Sequence, residues 1–235
     1  MPTFDSMRKP RIVGCMVDSL AQIKLYIIDA NWSQSALTHA YQQLPAAERQ
    51  RVDRMCESGK QQLIVSLAVR RPLLARATGL EATQLQFKRD EKGKQALINA
   101  PDWHFSVADT AGCVVLAVAW GQPVGVDVES VDRNIQHLED FMRASLSPQE
   151  LEVVGSLDKR VQKSWVLRAW VLKEAFTKRL GVGLTYGFQR LTVNPDLPGA
   201  GLYLWSNYLQ HYIGLSVQNA GREPLIEQLT EADFG

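Results

Sequence analysis

Gly125-Val126-Asp127-Val128-Glu129 alternates strictly between apolar and acidic residues, and both the fold and the chemistry of the chain turn on how it is read. A period of two predicts a strand with Val126 and Val128 on one face and Asp127 and Glu129 on the other. On a regular strand the two acidic residues would have Cα atoms ~6.5 to 7 Å apart. Carboxylates so spaced can converge on a hard cation, which takes oxygen ligands. They can equally be the solvated face of a half-buried strand.

About 45 residues further on lies Trp170-Val171-Leu172-Lys173-Glu174-Ala175-Phe176-Thr177-Lys178, inside a helix predicted over Lys163 to Leu180. Trp165, Ala169, Leu172 and Phe176 keep the 3/4 spacing of a buried stripe, and Gly181 stands where a C-terminal cap belongs. Trp170, Glu174 and Lys178 share one face, with Lys173 about 100° away. Glu followed by Lys four residues later is also an ordinary helix-stabilising pair. A helix this apolar nevertheless needs partners for the charges it buries, and a metal with a polyphosphate would supply them.

Upstream of the pentapeptide, Gly121-Gln122-Pro123 punctuates the chain after a predicted hairpin of Trp103–Val107 and Cys113–Trp120, joined at Asp109 to Gly112. It is the expected boundary between residues 1–122 and 123–235. The first part should hold a strand at Ile23–Ile28, a short helix at Ser33–Tyr41 and a helix at Ala46–Met55 broken by a turn at Ser58-Gly59. A helix at Leu63–Ala77, bent or restarted at Pro72, and a strand at Thr83–Phe87 follow. In the second part Ser147-Pro148-Gln149-Glu150 has the spacing of a capping box. Strands are expected at Arg190–Val193, Gly201–Trp205 and His211–Val217, and the last dozen residues read as polar and loose.

Composition narrows the partners. With 26 basic and 25 acidic residues the net charge is +1, so no overall field draws the 235-residue chain to nucleic acid or an anionic membrane. The longest apolar run, Cys113 to Trp120, is far short of the ~20 residues that span a bilayer. Met1 to Pro10 lack the apolar stretch of a secretory signal. Cys15, Cys56 and Cys113 are scattered and odd in number, as expected of reduced thiols in a cytoplasmic protein. His39, His137 and His211 read as structural or exposed, and Trp103, Trp120, Trp165 and Trp205 as core.

Gly-x-Asp-x-Glu followed by Trp-x-x-Lys-Glu-x-x-x-Lys resembles the signature of the Sfp-type 4′-phosphopantetheinyl transferases. The resemblance implies an α+β fold of two similar subdomains related by a pseudo-two-fold, each a small, mainly antiparallel sheet packed with helices. It implies a monomer that binds Mg2+ and coenzyme A in the intervening cleft and transfers phosphopantetheine to a serine of an apo acyl or peptidyl carrier protein. Asp127, Glu129 and Glu174 would hold the metal. Glu174 would also take the serine proton, and Lys178 would contact the pyrophosphate and stabilise the leaving 3′,5′-ADP. Lys173 would neutralise phosphate oxygens. Arg54, Lys60, Arg70 and Lys94 are the corresponding cations for coenzyme A, Lys94 lying where the family often has Gly-Lys-Pro. Each is also readable as a solvated cation.

One stretch departs from the pattern. Phe105-Ser106-Val107-Ala108-Asp109-Thr110 stands where the family resembles Phe-Asn-x-Ser-His-Ser, so a hydroxyl and a cationic side chain are replaced by a methyl and an anion. That substitution should weaken polyanion binding, and it motivates an alternative: a degenerate member that binds coenzyme A or a carrier protein with little or no transfer. Lys159, Arg160, Lys163 and Arg168 form a basic edge before the key helix, suited to an acidic carrier or simply to solvating a helix start.

Overall fold

A computed structural model describes residues 23–220 and 223–234; the N-terminal reading and Cys15 fall outside them. The elements of the first part are β1 (Lys24–Asp29), α1 (Gln34–Gln43), α2 (Ala46–Asp53), α3 (Glu57–Thr78), β2 (Phe87–Arg89), β3 (Gln95–Leu97), β4 (Trp103–Thr110) and β5 (Cys113–Trp120). Then come β6 (Val124–Ser130), α4 (Leu138–Ser145), α5 (Pro148–Ser156), α6 (Lys159–Leu180), β7 (Leu202–Tyr208), β8 (His211–Val217) and β9 (Leu225–Leu229).

The burial of β5 dictates the layering. Every residue from Cys113 to Ala119 is buried, so both faces of the strand must be covered. β5 lies inside a sheet of order β4-β5-β1-β9, antiparallel to both β4 and β1. Val114, Leu116 and Val118 meet Val65, Val69 and Leu73 of α3 on one side. Val115, Ala117 and Ala119 meet Val126, Val128, Ile213 and Leu215 of a second sheet, of order β6-β8-β7, on the other. The outer face of this second sheet receives α6. Helices, sheet, sheet and helix therefore stack as four layers of an α+β fold, and the Ser106 hydroxyl stitches the sheets by accepting from Val126 N at 3.1 Å.

The helices begin and end where their residues dictate. Ser147 and Glu150 form the expected capping box at the start of α5, with Pro148 in the first turn. α6 ends at Gly181, whose φ of 69° lies in the left-handed region open to glycine. Ser58-Gly59 is not a break: both lie in the first turn of α3, where backbone N–H groups have no partner within the helix and a serine is at home. Nor does Pro72 restart that helix. Burial of Val69, Leu73 and Leu74 around it outweighs the one hydrogen bond that a proline cannot donate.

Four other expectations are corrected. Thr83 to Gln86 form a turn and coil, and the strand starts at Phe87 as half of a β2–β3 hairpin that encloses the polar segment Asp90–Lys94. Arg190–Val193 is no strand: a 3-10 turn at Phe188–Arg190 leads into coil, because Val193 N is taken by Glu150 Oε1 at 2.7 Å and not by a ladder. The described residues among the last dozen are not loose, since β9 pairs in parallel with β1 and Phe234 packs on Trp32. Trp120 ends β5 exposed and is not core.

Candidate active site

Helix α6 meets its sheet without an intervening layer of side chains. A Cβ at Gly125 would stand 2.0 Å from the Ala175 carbonyl oxygen, and one at Gly214 2.5 Å from that of Val171. Only glycine permits such an approach. Gly214 is also the cross-strand partner of Asp127, so the two glycines bracket the acidic face of β6 and bring Glu174 and Lys178 to it. The valines at 126 and 128 turn the other way into the inter-sheet core, as the alternation predicts.

Lys178 Nζ donates to Asp127 Oδ1 at 2.7 Å. Burial alone would lower the lysine's pKa, but Asp127, Glu174 and Asp109 together hold the ammonium above its usual value. Burial raises the Glu174 carboxyl, and the charge of Asp127 raises it further. The same two causes push Glu129 up to about 7, against the pull of Arg133, the Trp170 indole and Lys178. Arg133, which pairs with Glu129, is itself set over the rings of Phe141 and Trp170.

The chemistry of this donor set fits a hard cation. Asp127 Oδ2 is buried and has no hydrogen-bond partner, the condition a cation would relieve. The ligands are not drawn together: Asp127 is turned to Lys178 and Glu129 to Arg133, and no cluster of three His, Cys, Asp or Glu side chains able to hold a metal is formed among the described residues.

Lys173 is a correction to the expected phosphate ligands. Its fully buried ammonium donates to the Ser145 carbonyl at 2.8 Å, the Phe188 carbonyl at 3.0 Å and the Glu150 carboxylate, which exhausts its three protons. It faces α4 and α5, away from Asp127. Glu150 in turn accepts from Ser147 N and Val193 N.

From Lys178 a cleft of about 310 Å3 runs between α3, the β2–β3 hairpin and β4. Of the expected coenzyme A cations, Arg70 and Lys94 line it, while Arg54 is exposed elsewhere and Lys60 pairs with Glu57; neither of these two is in the cleft wall. Arg70 is committed to Glu48 at 2.5 Å and Gln95 at 2.8 Å. Lys94 Nζ donates to the carbonyls of Lys178 and Arg179. The sequence reading missed Arg51, Arg89 and Lys92, which also line the cleft. The available signal was the basic edge of α2, with Arg89 just before the Asp90–Lys94 turn and Lys92 within it.

Asp109 lines this cleft too, an exposed anion facing Lys178 and Arg51. Ala108, on the other face of β4, is part of the inter-sheet core. The two departures at 108 and 109 thus fall in different places: the methyl replaces core volume, and the anion enters the cleft. On the basic edge of α6, Arg160 and Arg168 are paired with Asp158 and Asp196.

Residues 123–216, which carry both β6 and α6, match the family model described as the 4′-phosphopantetheinyl transferase superfamily. The match covers 94 of the 235 residues and makes this part of the chain similar to that superfamily. The chain is similar to a phosphopantetheinyl transferase of Thraustochytrium sp., 28% identical over 71% of this chain and 63% of the relative. It is similar to the L-aminoadipate-semialdehyde dehydrogenase-phosphopantetheinyl transferase of Mus musculus, 25% identical over 75% and 62%. A Bacillus subtilis 4′-phosphopantetheinyl transferase is 28% identical over 52% of this chain and 53% of its own length. The chain thus spans less than two thirds of the length of these relatives. The superfamily match covers the helix and strand that Gly125 and Gly214 hold together, and leaves the β2–β3 wall of the cleft outside it.

Proposed function

We propose that the protein transfers 4′-phosphopantetheine from coenzyme A to a serine of an apo acyl or peptidyl carrier protein, releasing 3′,5′-ADP. The observation that carries this reading is that Lys178, bonded to Asp127 at 2.7 Å, lines a cleft together with Arg51, Arg89 and Lys92. A pyrophosphate suits such a site, where positioning and charge neutralisation account for most of the catalysis of phosphoryl transfer.

The serine oxygen forms a bond to the phosphorus that bears the pantetheine arm. The bond from that phosphorus to the bridging oxygen breaks, and its electron pair leaves with 3′,5′-ADP. Glu174 accepts the serine proton. Lys178, held as an ammonium, faces the charge that grows on the departing phosphate. Mg2+ bound by Asp127, Glu129 and Glu174 would add positive charge against the pyrophosphate oxygens. No helix among the described residues is long and apolar enough to cross a membrane.

The deciding experiment incubates the protein with coenzyme A, Mg2+ and several apo carrier proteins and weighs the products. One phosphopantetheine added to a carrier is the expected result, and no gain on any carrier sinks the proposal. Glu174→Gln should abolish transfer with the fold intact, because the amide is neither a base nor a good metal ligand; near-normal turnover would remove Glu174 from the mechanism. Asp109 in the cleft favours a second reading, a member that binds coenzyme A and transfers little, which coenzyme A binding without any mass gain would support.

A further inference from the structure

Lys94 reaches across 84 residues of sequence to the C-terminus of α6, where its Nζ donates to the Lys178 carbonyl at 2.7 Å and the Arg179 carbonyl at 2.6 Å. The last carbonyls of a helix have no partner within it and carry partial negative charge, so an ammonium is well placed there. Backbone caps account for part of the need: Gly181 N donates to the Lys178 carbonyl and Val182 N to that of Thr177, each at 3.2 Å. Lys94 supplies the bond to Arg179 and a second one to Lys178.

The hairpin loop is built to present this side chain. Asp90 Oδ1 accepts from the backbone N–H groups of Lys92 and Lys94, Asp90 and Lys94 close the turn through their backbones, and Arg89 holds the Gly93 carbonyl. On the receiving side, a Cβ at Gly181 would stand 3.1 Å from Lys94 Cδ, so the glycine that ends α6 also makes room for the lysine's stem.

We propose that Lys94 is a positioning residue: it fixes the end of α6, and with it Lys178, by capping the helix with its ammonium, and does not itself bind the phosphates. The inference rests on the transferase reading for its catalytic consequence. The cleft then has two kinds of cation. Arg51, Arg89 and Lys92 give it charge, whereas Lys94 ties its β2–β3 wall to the helix that carries Lys178.

Two variants separate the roles, because glutamine keeps an N–H donor and loses the charge. In Lys94→Ala the melting temperature should fall. Affinity for coenzyme A, by calorimetry at several salt concentrations, should stay within about twofold with an unchanged salt slope, since no phosphate contact is lost. Its kcat should drop by about tenfold or more with KM for coenzyme A little changed, the mark of a displaced group. Lys94→Gln should restore most of both the melting temperature and kcat. The proposal is overturned if Lys94→Ala weakens coenzyme A binding tenfold with a flatter salt slope, or if Lys94→Gln is no better than Lys94→Ala. Should the wild-type protein transfer to no carrier, the transferase reading fails on its own, and the melting and calorimetric comparisons still decide whether Lys94 caps or binds.

Discussion

The two sides of α6 each carry a lysine, five residues apart, and the two are used in opposite ways. Lys173 is sealed among α4, α5 and the Phe188 turn, with all three of its protons given to protein oxygens. Lys178 has one ion-pair partner, Asp127, and its side chain stays 32% exposed at the cleft. What separates a structural cation from a working one is spare hydrogen-bonding capacity that faces solvent or ligand, more than burial or charge.

Substitution can break this contrast most sharply at Lys173. Lys173→Met leaves Glu150 buried without its cation, and removing one member of a buried pair costs about 3 to 5 kcal/mol. Chemical denaturation should show that loss, with transfer per folded molecule little changed. Lys178→Ala should do the reverse: a fall in kcat of about 10²- to 10³-fold, as for the loss of a donor aimed at developing charge, with the denaturation midpoint nearly kept. If both variants lost stability alike, the contrast between the two faces would disappear.

Smaller effects sharpen the comparison within the working face. Asp109→Asn removes an anion from the cleft and should tighten coenzyme A binding by about fivefold in low salt, an effect that calorimetry should see fade as salt rises. The smallest expected effect concerns Glu129. Its carboxyl titrates near 7 in the folded protein, above its unfolded value, so the folded state binds more protons between those limits. Its contribution to stability is full below the unfolded value and is lost as pH rises through about 7. In metal-free protein the melting-temperature difference between wild type and Glu129→Gln should therefore change over that window, and Mg2+ should restore the wild type at the alkaline end.

How far the sequence could be read follows from where each signal resides. The alternation of 125–129 and the apolar stripe of α6 are local, and local periodicity located both elements and the family signature. The spacing of Lys173 and Lys178 showed that they lie on different faces, but which face met Asp127 depended on α4 and α5, which sequence spacing does not place. β9 stayed hidden because Leu225-Ile226-Glu227-Gln228-Leu229 is a short edge strand whose ladder partner, β1, lies some 200 residues earlier. The cleft cations Arg51, Arg89 and Lys92 come from a helix and a hairpin that only tertiary packing brings together. Arg54 and Lys60, taken from the resemblance, lie outside its wall.

The backbone contacts at Gly125 and Gly214 have an implication for how this protein can change. Where a helix rests on a sheet through side chains, the gap between them is adjustable, and exchanging one apolar residue for another shifts the helix by fractions of an ångström. Here main chain meets main chain, so no substitution can bring α6 closer and almost any at either glycine drives it off. The distance from β6 to Lys178 is therefore a fixed dimension. Altered ligand preference has to be sought at the opposite wall, on the β2–β3 hairpin and α2, where side chains can vary without disturbing that spacing.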